Sequence, residues 1–376
     1  MTENTHMPFY KSILAILGAS LLLATNGASA LSELGNGTLM MEIQAGIEYD
    51  SNIYTNNLEE GDFIVSASPR LSYLQNGGVI NLELGLGIEA GEFLHNTEDS
   101  YQDRFADFSL SGLDREGSTL MFSLSGGWRE QTTASEEVGT RIESDIVHLN
   151  GTVELSLSEK AGVRVSAGYL DTDYVNASYA DSEDLSARVE GLYHYSEKLS
   201  LKAGYRYRDI DYNGDYVSRA TDTFIVGAEG DLSAKLSGVL ELGYALQDGG
   251  LDDYFFYSAS LNWQMDEKTT FNLSGLRDNS ASPTGDNVIN TSLTLAAMQS
   301  FTEKLSAHAF IGLGQYEREG ENARKDDIFR LGAGLSNSLS ESSSLDFTLS
   351  YEKRDSISVQ SDYEQVLASV GYSIQF

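Results

Sequence analysis

The sequence predicts an all-β fold: a single antiparallel transmembrane β-barrel of about eighteen strands, with short periplasmic turns and longer extracellular loops. Three observations carry that expectation. From Leu39 onward, apolar and polar residues alternate over runs of about ten to fourteen residues, the length of a tilted membrane strand. A three-residue turn motif recurs between these runs about every 36 residues. No apolar run after Ala30 reaches the ~18 residues that a membrane-spanning helix needs.

The last segment shows the alternation most clearly. Val366, Ala368, Val370, Tyr372, Ile374 and Phe376 fall on one face of a strand, while Gln365, Ser369, Gly371, Ser373 and Gln375 fall on the other together with Leu367. One greasy face and one wet face suit a strand that must close a sheet between lipid and water. The spacing Ser369-x-Gly371-x-x-Ile374-x-Phe376 resembles the terminal signal that outer-membrane barrels present to their assembly machinery. Gly371, Ile374 and Phe376 are assigned to that role, with the machinery as the implied partner.

The same rhythm runs through the chain. Met41, Ile43, Ala45, Ile47 and Tyr49 alternate with Glu42, Gln44, Gly46 and Glu48; Ile80 to Ile88 alternate with Asn81 to Glu89; Leu185 to Tyr195 oppose Ser186, Arg188, Glu190 and His194. A helix would bring such residues to one side only every third or fourth position. The turns are near-copies: Ser158-Glu159-Lys160, Ser196-Glu197-Lys198, Ser233-Ala234-Lys235, Asp266-Glu267-Lys268, Thr302-Glu303-Lys304 and Ser340-Glu341-Ser342, with Asn76-Gly77-Gly78 and Asp114-Arg115-Glu116-Gly117 in two earlier slots. The longer loops include Asp50–Gly61, Gln131–Arg141, Asn279–Asn287 and Arg318–Asp327. Trp128, Tyr169, Tyr205, Tyr207, Trp263, Tyr351 and Tyr372 end outward runs, where interfacial girdles belong.

Residues 1–30 read as a secretory signal: Lys11, then an apolar stretch from Ile13 to Ala24, then Ala28-Ser29-Ala30 as a cleavage site, with Met1 or Met7 as the start. Residues 31–38 read as a short polar lead-in, and 39–376 as the barrel. That places the protein in a bacterial outer membrane, with lipid and lipopolysaccharide as its surroundings.

The formal net charge of -33 repels nucleic-acid phosphate and excludes such a partner. Cysteine is absent, so there is neither a disulfide framework nor a thiolate metal site. The five histidines include none at metal-ligand spacing with another, no serine elbow precedes a helix, and no cofactor, metal or catalytic residue is assigned. His148 and His194 fall on polar phases, where a hydrogen-bonded lining is the simpler reading. The acidic loops read as solvated, with divalent bridging to lipopolysaccharide as the alternative.

The inner wall is the functional candidate. Its channel-lining residues by phase are Arg70, Arg129, Arg164, Arg188, Glu190, Lys202, Arg206, Arg208, Glu241 and Arg330. Arg164, Arg188, Glu190, Lys202, Arg206 and Arg208 lie on three successive strands and are expected to cluster. They would form either a cationic stripe that guides a solute or a mutually neutralising ladder that holds the wall in shape.

Finally, Tyr49-Asp50-Ser51-Asn52-Ile53-Tyr54, followed by Gly61-Asp62-Phe63-Ile64 and Ser68-Pro69-Arg70-Leu71, resembles the opening of the putative beta-barrel porin-2 family. Tyr49, Asp50 and Asn52 are the motif positions, read as a folded turn at the rim. The resemblance implies an outer-membrane channel for export of an exopolysaccharide, with a polysaccharide substrate and periplasmic polysaccharide-export proteins as partners. A general diffusion porin, or a non-conducting structural or adhesive barrel, is the alternative.

Overall fold

The alternation produces strands, and the strands close. In the computed structural model, which describes residues 31–112, 119–214, 216–319 and 323–376, the elements are β1 (Ser32–Leu34), β2 (Gly37–Asp50), β3 (Asp62–Gln75), β4 (Ile80–Phe93), β5 (Tyr101–Gly112), β6 (Leu120–Ser135), β7 (Thr140–Ser158), β8 (Ala161–Tyr174), β9 (Ser182–His194) and β10 (Leu199–Tyr212). They continue as β11 (Arg219–Asp231), β12 (Leu236–Gln247), β13 (Tyr254–Gln264), β14 (Thr269–Ser280), β15 (Val288–Ser300), β16 (Leu305–Arg318), β17 (Arg324–Ser340), β18 (Ser343–Asp355) and β19 (Tyr363–Gln375). The signal segment 1–30 and the turn at Asp114–Gly117 lie outside the described residues.

Strands β2 to β19 form one antiparallel ring in which every strand pairs with its chain neighbours, and β19 returns to β2. The closing register runs from Leu367 opposite Asp50 to Gln375 opposite Glu42. The Phe376 amide donates to the Met41 carbonyl at 2.8 Å, and the Met41 amide donates back to Phe376 at 3.1 Å. Among the described residues the ring from β2 to β19 leaves no strand without a partner on either side, which is what a sheet in lipid requires. The lead-in is not all coil: β1 folds back on β2 as a short hairpin, and β2 starts at Gly37, ahead of the expected boundary at Leu39.

The repeated turns have a local cause. The first side chain of each accepts the amide two residues on. Ser158 Oγ takes Lys160 N at 3.3 Å, Ser196 Oγ takes Lys198 N at 3.3 Å, and Ser233 Oγ takes Lys235 N at 3.3 Å. Asp266 Oδ1 takes Lys268 N at 2.8 Å and Thr302 Oγ1 takes Lys304 N at 3.2 Å. Short oxygen-bearing side chains therefore satisfy backbone donors that a tight hairpin leaves free.

The outer face carries the apolar phases. Leu86, Val153, Val189, Phe224, Val226, Leu313, Phe347 and Leu349 are all exposed. A soluble monomer does not expose an apolar band on this scale, whereas a membrane barrel must. Among the described residues no helix is long and apolar enough to cross a membrane. The buried apolar clusters sit at the loop end: Ile53, Ile64 and Phe93; Ile225, Ala245, Tyr254, Phe256 and Ile289; Ala180, Ile210 and Tyr212; Val288, Tyr316 and Ile328. The loops are thus packed down into the mouth.

Candidate functional site

Two kinds of polar wall line the interior. From β8 to β14, charged side chains reach past their neighbours. Arg164 on β8 binds Glu154 through Nε at 2.8 Å and Glu229 on β11 through Nη1 and Nη2 at 2.9 and 2.6 Å. Arg188 on β9 binds Glu190 at 2.5 Å and Glu241 on β12 at 2.8 Å. Lys202 on β10 reaches Glu241 at 2.5 Å, Glu229 at 3.0 Å and Glu190 at 3.8 Å. Arg206 forms two bonds of 2.7 Å with Asp278 on β14, and its guanidinium lies 4.9 Å over the Phe256 ring. Arg208 binds Asp184 and the Asn279 carbonyl.

These pairs report the shape of the wall. At ~4.8 Å per strand, β10 and β14 stand about 19 Å apart along the sheet, further than an arginine and an aspartate together can span. The sheet must therefore curl sharply between them, bringing facing side chains into contact. The predicted cluster forms, and each of its cations has a carboxylate within ion-pair distance. The geometry is that of the neutralising ladder rather than the stripe. A glycine makes room for it: a Cβ at Gly227 would stand 2.6 Å from the Leu240 carbonyl and 3.2 Å from Lys202 Cε. Beside the ladder lies a cavity of about 530 Å³ lined by His148, Asn150, Ser186, Arg206, Arg208 and Asn290. His194, by contrast, sits near a periplasmic turn with Nδ1 2.8 Å from Ser200 Oγ.

From β3 to β6 the pairs Arg70–Asp107 and Arg129–Glu89 each skip a single strand and keep contact with water. Arg70 forms two bonds with Asp107 at 2.9 and 2.8 Å, and Arg129 approaches Glu89 at 3.3 Å. Arg129 and Glu89 keep 42% and 43% of their side-chain surface exposed, against 4% for Lys202 and Glu190. Arg330 on β17 binds Glu352 on β18.

The rim motif is a turn. Asp50 Oδ1 accepts the Asn52 amide at 2.8 Å, and both Asp50 oxygens accept Gln365 Nε2 at 2.9 and 3.0 Å. Asn52 Nδ2 donates to the Asn56 carbonyl at 2.7 Å, and Ile53 drops into the cluster with Phe93. Asp50 and Asn52 are buried and tie the first loop to the last strand. Tyr49 packs its ring 5.0 Å from Phe63 on the outer face.

The mouth was misread in two places. The loop expected over Gln131–Arg141 is mostly strand: β6 and β7 pair up to Ser135 opposite Thr140, so only the tip is loop. The loop expected over Arg318–Asp327 likewise gives way to β17 at Arg324. The β6–β7 tip then folds inward. Glu136 Oε1 meets Arg330 Nη2 at 3.0 Å, and the Glu136 carbonyl accepts Arg354 Nη1 at 2.8 Å. Glu137 meets Arg318 at 3.5 Å and takes the Ser282 hydroxyl. β7 and β16 stand nine strands apart either way round the ring, so this tip crosses the mouth. The loop between β14 and β15 meets it there through the Ser282 hydroxyl, and is itself anchored elsewhere: the Ala180 amide donates to the Pro283 carbonyl at 2.9 Å, and Tyr212 Oη on β10 donates to the Asp286 carbonyl at 3.1 Å. Burial pushes the carboxyls of Glu136 and Glu137 above the usual range, against the lowering pull of Arg354 on both. Sequence reasoning missed Glu136, Glu137, Arg318 and Arg324; the one signal was a pair of adjacent glutamates at a hairpin tip.

A closed eighteen-strand antiparallel ring with an apolar outside and a charged inside defines a porin-like β-barrel of the bacterial outer membrane. The model of the putative beta-barrel porin 2 family matches residues 210–376, a stretch that does not include the Tyr49–Tyr54 turn. Among solved structures, the chain is similar to OccAB2 of Acinetobacter baumannii, with a TM-score of 0.50 and 12% identity, covering 91% of this chain and 98% of that one. The outer membrane protein OpdK of Pseudomonas aeruginosa gives a TM-score of 0.50 and 12% identity, covering 90% and 99%. Against the FrpB iron transporter of Neisseria meningitidis the TM-score is 0.46 with 11% identity; 87% of this chain is covered, and it spans only 63% of that protein's length. No curated protein matches the chain significantly.

Proposed function

We propose that the protein is a non-enzymatic diffusion channel for small polar solutes across the outer membrane, lined by Arg70, Arg129, Arg164, Arg188, Glu190, Lys202, Arg206, Arg208, Glu241 and Arg330. The observation that carries this reading is the interior itself. It is polar and partly solvated from β3 to β6, but closed in from β8 to β14 and crossed at the mouth by the Glu136–Glu137 tip. A passage of that form offers weak, exchangeable hydrogen bonds and no deep trap, as conduction demands. Export of an exopolysaccharide, the role implied by the family resemblance, asks for an interior free along its whole length for a continuous chain. The inward-folded hairpin speaks against that.

The test is reconstitution. In planar bilayers the purified barrel should give discrete conductance steps, and proteoliposomes should swell with monosaccharides but not with long dextrans. A barrel that inserts without conducting would move the reading to a structural or adhesive role; passage of long glucans would restore the export conduit.

A further inference from the structure

The arginines under the β6–β7 tip are more than the tip needs. Arg318, Arg324, Arg330 and Arg354 converge from β16, β17 and β18. Their fixed acidic partners are Asp286, Asp326 and Glu352. Four cations against three anions leave one net positive charge; Glu136 and Glu137 turn the balance to one net negative. The donors are also not used up. Arg318 Nε and Arg324 Nη2 are buried and make no hydrogen bond among the described residues. Buried donors left unused are costly, and these two are free to take a further acceptor.

What fills the place now is instructive. Two adjacent carboxylates sit on separate guanidinium groups: Glu136 Oε1 on Arg330 at 3.0 Å and Oε2 on Arg354 at 3.4 Å, and Glu137 Oε2 on Arg318 at 3.5 Å. Guanidinium forks bind carboxylate and phosphate oxygens alike, and the groups they hold here are planar carboxylates. Both glutamates lie at the tip of a hairpin held to the barrel at few points, among them Arg318, Arg330, Arg354, Tyr316, Ser282 and Asn56. Burying charge costs much of what such pairs return, so a docked carboxylate of this kind is exchangeable.

We infer that the Arg318–Arg324–Arg330–Arg354 cluster is a binding site at the channel mouth for a small dicarboxylate, and that Glu136 and Glu137 occupy it as a tethered stand-in until the solute displaces them. This rests on the channel reading above for its purpose, but not for its test. A solute with two carboxylates a few bonds apart would replace both glutamates, engage the free Arg318 and Arg324 donors, and lift the hairpin from the mouth as it enters.

Succinate, with uncharged succinamide as its control, is the probe, and calorimetry on the detergent-folded barrel is the readout. E136A/E137A should bind succinate on the order of ten-fold more tightly than the parent chain, because a competing docked fraction is removed. Adding R318A to that variant should abolish the gain, and succinamide should bind neither form. The chain has no cysteine, so N56C/G139C offers a lock: a Cβ at Gly139 would lie 3.1 Å from that of Asn56, a few tenths of an ångström inside disulfide range, and because Gly139 has a φ of +66° the reduced variant serves as the folding control. Oxidised, this variant should lose succinate binding and regain it with reductant, in a barrel whose arginines are untouched. Equal affinity in parent and E136A/E137A, or binding unaffected by the lock, overturns the inference. Binding that behaves as described in a barrel that passes no current would leave the site standing and remove the channel reading instead.

Discussion

The arc from β8 to β14 and the arc from β3 to β6 are written in the same alternation, yet they form different walls. In the first, Lys202 lies within 4 Å of three glutamates, and it and Glu190 are almost wholly buried. In the second, Arg129 has one carboxylate partner at 3.3 Å and both groups face water. Local composition does not separate them: each arc places long cations and carboxylates on its inward phase. The difference is curvature. Where the sheet curls, opposite side chains meet and exclude water, and an ion pair becomes a structural element with a large penalty for being broken. Where it stays open, the pair is solvated and screened, and contributes little.

Removing one partner from each arc breaks or sustains that contrast most directly. Lys202→Met leaves Glu190, Glu229 and Glu241 with only Arg164 and Arg188 to balance them, one buried negative charge in excess, and should cost about 3–5 kcal/mol of stability. Arg129→Met should cost less than ~1 kcal/mol, since its partner is already hydrated. Urea unfolding of the barrel in liposomes measures both. Similar losses for the two would mean that the arcs do not differ in the way described.

Charge reversal gives a smaller and separate readout. Arg129→Glu stands in the solvated arc and should shift the reversal potential in a salt gradient toward cations. Arg206→Glu, enclosed between Asp278 and the Phe256 ring, should shift it less in whatever fraction folds. If Arg206→Glu shifts selectivity as strongly as Arg129→Glu, ions travel along the curled arc and its closure is overstated.

How much of this the sequence disclosed follows from range. Alternation is a local property, so the strands, the closing segment ending at Phe376 and the charged phase were all readable. The turn motif was readable too, because Ser196 or Asp266 acts on an amide only two residues away. That Arg164, Arg188, Lys202, Arg206 and Arg208 gather together followed from counting strands. Two of their partners, Glu190 and Glu241, were readable on the same inward phase, but the partner of Arg206 was not. Asp278 is 72 residues from Arg206 and touches it only because the sheet bends, and no sequence period encodes bending. The inward fold of the mouth was hidden for a related reason. Gln131–Arg141 is polar and looks like any exposed loop, but its tip is placed by arginines six to nine strands away round the ring. Asn52 was the partial exception. Its neighbours Asp50 and Asn56 suggest a turn in the sequence, although its bond to the Glu364 carbonyl at 3.2 Å does not.

The smallest expected effect concerns acidity at the mouth, and its sign runs against the usual expectation for an ion pair. Glu136 and Glu137 hold protons more tightly when docked than when free, because burial outweighs the help of the arginines. Facing them are Arg318 and Tyr316 on β16, Arg330 on β17, Arg354 and Glu352 on β18, and Ser282 on the neighbouring loop. A group whose docked pKa is raised favours docking as the pH falls through that raised value, and the gain is complete below the free-carboxylate range near ~4.3. Acidification should therefore press the hairpin onto the mouth rather than release it. Single-channel conductance of the parent barrel should decline modestly between neutral pH and about pH 5, and the E136A/E137A barrel should show no such decline. A parent conductance that rises on acidification would mean that the guanidinium contacts dominate burial, so that protonation unlatches the tip and the β6–β7 hairpin is held by charge after all.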